Sequence, residues 1–154
     1  MSETDNMVLG ASDSPVILWG DSKEDVDYVG DLLTAIQEIG QRARTADSYA
    51  EGHAAFVATL RGQATMLGLA VPSSGDVVAA LVAYLTQSRD HEGEVSEAMI
   101  ATTRGKSPEE ARQIRLAAAA HSGRRGWLDS TVYEILGGAK ALGKLKDWED
   151  KQKK

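Results

Sequence analysis

Three histidines, His53, His91 and His121, are the side chains of this sequence best suited to hold a transition metal or shuttle a proton. Helical metal sites present ligands at i, i+3 or i, i+4, where neighbouring turns bring them together. His91 and Glu94 are the one tight pair of that kind, and Glu51 and His53, two apart, diverge on a helix. The spacing predicts surface or capping histidines and no metal. With no cysteine there is no thiolate ligand, Cys nucleophile or disulfide. No serine stands in a Gly-x-Ser-x-Gly elbow, and Ser-x-x-Lys, Gly-x-x-x-x-Gly-Lys-Ser/Thr and Gly-x-Gly-x-x-Gly are all missing. The paired acids Asp25/Asp27 and Glu92/Glu94 sit in polar stretches and read as solvated carboxylates. The expectation is a protein with no catalytic residue, no cofactor and no enzymatic activity.

Residues 121–136, HSGRRGWLDSTVYEIL, carry the one pattern that suits nucleic acid. His121–Gly126 reads as a basic loop, with Arg124 and Arg125 placed to touch phosphate. Ser122, Gly126 and Val132 have helix-turn-helix spacing, and Ser130-Thr131-Val132-Tyr133 resembles the start of a recognition helix. Two features oppose it: His121 and Arg125 fall where that motif needs buried apolar residues, and the preceding segment is mostly alanine. A DNA-binding accessory protein using Arg124, Arg125, Ser130 and Thr131 is therefore the alternative reading. The overall acidity, net −6 with pI near 5.1, lowers non-specific DNA affinity.

The elements that would position these residues are helical. At 154 residues the chain suits one domain with a core of its own. It is rich in alanine and poor in aromatics, which favours helix over sheet and a thin core. Such a core is often completed by a partner. The usage would suit a high-GC bacterium, its phage or a plasmid. Residues 1–21 read as a mobile or extended arm, in which Pro15-Val16-Ile17-Leu18-Trp19 is a short apolar run. Helices are expected over about 23–44, 48–67, 76–89, 95–104, 107–121 and 129–150, with bends at 88–93 and 121–126 and a frayed tail at 151–154. The helix at 76–89 has the broadest apolar stripe and is expected to be central. The fold expected is all-α: a single bundle-like domain of five or six helices, residues 22–150, behind the arm.

Charge is unevenly placed. Residues 1–31 carry eight acids and one base, whereas residues 103–154 carry seven acids and twelve bases. An acidic end and a basic end can orient neighbouring copies head to tail. The first functional expectation is a non-enzymatic helical structural or interaction protein that self-associates or binds another protein. Its anchors would be Ile17, Leu18, Trp19, Trp127 and Trp148. No apolar run approaches the length of a membrane span. The opening residues carry no basic leader, so a cytoplasmic location is expected.

Overall fold

The structure, a computed structural model, describes residues 23–153, with side chains from Tyr28 onward. The expected arm, including Ile17, Leu18 and Trp19, lies outside the described residues. Among those described there are four α-helices and no strand. They are α1 (Lys23–Arg44), α2 (Tyr49–Met66), α3 (Val77–Ala101) and α4 (Pro108–Gln152). The all-α class holds, but the helix count falls from five or six to four. The expected bend at 88–93 lies inside α3, and the expected loop at 121–126 lies inside α4. Of the tail, Lys151 and Gln152 are still helical.

Local chemistry starts and stops these helices. Ser48 caps α2 by accepting the Glu51 amide, and Asp76 caps α3 by accepting that of Ala79. Ser107 and Glu110 form a reciprocal capping box at α4, with Pro108 in the first turn. Gly68, at φ +81°, and Gly105, at φ +80°, supply the left-handed turns that end α2 and lead into α4. Between α2 and α3, the Arg61 guanidinium donates to the carbonyls of Pro72, Ser73 and Gly75, pinning the return segment along α2.

The central helix is α4, not α3. With 45 residues it is about 67 Å long, and all three other helices pack on it. Paired contacts fix the directions. Arg89 meets Asp129 and Glu92 meets His121, so α3 runs antiparallel to α4. Gly30 meets Trp127 and Gly40 meets Gly138, so α1 runs parallel to it. The core gathers Val29, Leu32, Ile36 and Ile39 of α1, Phe56 and Leu60 of α2, Leu81 and Leu85 of α3, and Leu128, Ile135 and Leu142 of α4. The buried face of α1 carries Val29, Leu32, Ile36, Ile39 and Ala43, and Leu33 beside it is half-buried.

Glycine explains how helices with so few large side chains pack closely. A Cβ on Gly138 would stand 2.7 Å from Phe56 Cε1 and 3.4 Å from the Gly40 Cα. One on Gly52 would meet Ala46 and Leu142 within 3 Å. Gly62, by contrast, has nothing within 4 Å. Gly138→Ala is therefore expected to lower stability by about 1–3 kcal/mol, overpacking outweighing the better helix propensity. Gly62→Ala should instead raise it by up to about 1 kcal/mol. Urea unfolding of both variants checks this, and equal signs would contradict the packing described.

Candidate functional site

The interior of the bundle holds charge. Ser88, Glu92 and Ser96 of α3 and Arg124 and Thr131 of α4 are all buried. The Arg124 side chain has no solvent exposure and that of Glu92 has 1%. Arg124 Nε donates to Glu92 Oε1 at 3.1 Å, and His121 Nδ1 reaches the same oxygen at 2.8 Å. Arg124 Nη2 also lies 3.1 Å from His121 Nδ1. A guanidinium nitrogen only donates and a carboxylate oxygen only accepts. His121 Nδ1 therefore cannot hydrogen-bond both groups in one protonation state. The shorter contact favours a proton on Nδ1 donated to Glu92. The hydroxyls around this cluster are satisfied locally: Ser88 Oγ donates to the Tyr84 carbonyl and Thr131 Oγ1 to that of Trp127.

This arrangement corrects two expectations. Glu92 is not a solvated carboxylate but the innermost acid described, and Arg124 is not in a basic loop but faces Glu92. The signal that finds them is periodicity. Val77, Leu81, Leu85, Ser88, Glu92 and Ser96 continue one stripe through the expected bend. Arg124, Leu128, Thr131, Ile135, Gly138 and Leu142 do the same through the expected loop. Polar residues on a buried stripe look like a break when the stripe is read for apolar side chains alone.

The other singled-out residues are dispersed. His53 is exposed and stacks on Tyr49 with ring centroids 5.0 Å apart. It edges a cleft of about 300 Å³ whose walls include Phe56, Asp76, Leu142 and Lys146. His91 is half-buried on α3. Among the described residues no three His, Cys, Asp or Glu are placed to hold a metal. Arg125 is exposed, its stem lying against Gly93, and it borders a polar hollow with the Arg89–Asp129 pair. Ser130 is exposed and Thr131 buried, and neither is at a helix start. Trp127 lays its ring against Gly30, where a Cβ would meet it at 3.4 Å, and is 37% exposed. Trp148 is largely exposed near the end of α4. No described helix is long and apolar enough to cross a membrane.

Two measurements test this interior. Arg124→Met leaves the Glu92 carboxylate buried without its guanidinium and should cost about 3–5 kcal/mol. Adding Glu92→Leu should recover at least half of that loss in denaturant unfolding; a double variant as weak as the single one would show that the pair is not the source. Tyr84 is buried between α3 and its neighbours, and desolvation, with the Tyr28 phenol adding, pushes its pKa up to about 12. The folded state thus keeps the phenol proton after the unfolded chain has lost it. Its stabilisation is complete below pH 10 and is lost as pH rises towards 12. Tyr84→Phe should flatten that part of the alkaline stability profile; an unchanged profile would contradict the burial.

Comparison of the chain with protein-family models, with curated proteins and with solved structures gives no match.

Proposed function

We propose that the chain is a non-enzymatic helical interaction protein, cytoplasmic, that associates with further copies of itself through the outside of α4. The observation that carries this reading is the apolar surface left there. Tyr133 is 71% exposed, Leu136 51% and Trp148 58%. Tyr133 and Leu136, three apart, are neighbours on the helix surface. Trp148 follows on the same helix, with Lys140 and Lys144 exposed between them. Large side chains rimmed by charge, one of them an indole, have the composition of an interface centre. The acidic first 31 residues and the basic last third supply complementary fields to orient the copies.

The DNA-binding alternative drew on a loop and a helix start in residues 121–136. That stretch is continuous helix, and of its two arginines only Arg125 is on the surface.

Light scattering on a sizing column, at about 50 mM and about 500 mM salt, tests the proposal, because screening differs severalfold between them. The expected result is a defined oligomer that loosens at high salt and becomes monomeric on Tyr133→Ser with Leu136→Ser, helicity unchanged. A monomer at both salts would overturn self-association.

A further inference from the structure

Where the first half of α2 and the start of α3 meet the last third of α4, the bundle opens a cleft of about 300 Å³. That is the volume of roughly ten waters and the lower end of the range for small-molecule pockets. Phe56 and Leu142, both buried, give it an apolar floor. Tyr49 and His53 add an aromatic wall, their rings stacked 5.0 Å apart with 22° between the planes. Gly143 also lines the cleft, and a Cβ built on it would meet nothing within 4 Å. Walls of this kind suit a flat, apolar body.

The polar groups at the rim are unequally occupied. The acids already have donors. Asp76 Oδ1 accepts the Ala79 amide at 3.1 Å, and Glu149 Oε2, next to the cleft, accepts the Tyr49 amide at 2.8 Å. The donors are not used up. Lys146 Nζ carries three protons and donates to Asp150 Oδ2 at 3.2 Å. Both of those side chains are half exposed, and an i,i+4 surface pair of this kind holds its partners only weakly. The ammonium stands 5.9 Å from the centre of the Tyr49 ring, beside the aromatic wall. Among the described residues, the His53 ring nitrogens and the Tyr49 hydroxyl have no hydrogen-bond partner. The capacity left at this rim is led by an ammonium, and its complement is an anionic acceptor.

We propose that this cleft binds a small planar aromatic carboxylate. The ring lies on Phe56 and Leu142 beside the Tyr49–His53 stack, and the carboxylate turns to Lys146 and His53. The site shares no residue with the Tyr133–Leu136 surface, so the inference goes beyond self-association and does not depend on it.

The probe is trans-cinnamate, with cinnamylamine as a ligand of the same ring and opposite charge. Each is titrated into the full-length protein at neutral pH while backbone amide NMR signals are followed. The expected shifts centre on His53, Leu142 and Lys146, and cinnamate binds at least tenfold more tightly than the amine. Lys146→Glu, a change at an exposed position, should reverse that order. Gly143→Trp fills the space with an indole and should weaken cinnamate at least tenfold, helicity retained in both variants. No shifts at millimolar cinnamate would overturn the proposal, as would equal binding of the two probes. Shifts centred on the exposed indoles Trp127 or Trp148, or a preference for cinnamate that survives Lys146→Glu, would overturn it too.

Discussion

A buried carboxylate and a buried guanidinium, 3.1 Å apart between α3 and α4, set the terms for the rest of this bundle. Either charge alone inside the protein would be severely penalised. Each therefore requires the other, which fixes the register of the two longest helices against one another. A slip of one turn would separate the pair by about 5 Å and leave both charges unpaired. An apolar stripe of Leu and Ala tolerates such slips far better. The pair is thus a source of specificity more than of net stability. The same demand keeps both helices unbroken through segments whose composition suggests turns.

The economy of large side chains has a second consequence. With a single Phe and many Ala and Gly, the helices gain contact by close approach, not by filling wide gaps. Gly40 and Gly138 let α1, α2 and α4 converge on Phe56. α4 serves as the common partner, which gives it apolar demands on several sides. Its start also extends past α1 and α2, those helices having 22 and 18 residues against its 45, whereas near its end Glu149 accepts the Tyr49 amide at the start of α2. Apolar side chains at its ends and on its outer face are what such a layout leaves for other chain segments and other molecules.

Much of this was legible in the residues. The cap at Ser48, the Ser107–Glu110 box, the stop at Gly68 and the extent of α1 all follow from local rules and stand in the structure. What escaped was tertiary. Ser88, Arg89, Asp90 and Glu92 have the composition of a surface bend, and nothing local says that Glu92 finds Arg124 thirty-two residues later. The identity of that partner depends on how the hairpin closes. Likewise Gly137 and Gly138 look like weak points of a helix until Phe56 and Arg44 are seen to occupy the space beside them. The candidate interaction surface was only partly legible. Trp148 is as exposed as an anchor should be, but Tyr133 and Leu136 show themselves only once the inner face of α4 is known.

The central claim is that a buried ion pair holds α3 and α4 as continuous helices through residues 88–93 and 121–126. Amide hydrogen exchange, resolved to short peptides across these two segments, tests it most directly. Protection comparable to that of the flanking turns at Leu85 and Leu128 is the result this account requires. Exchange within seconds at 121–126, with protection resuming near Ser130, would mean a loop in place of a helix turn and would contradict it.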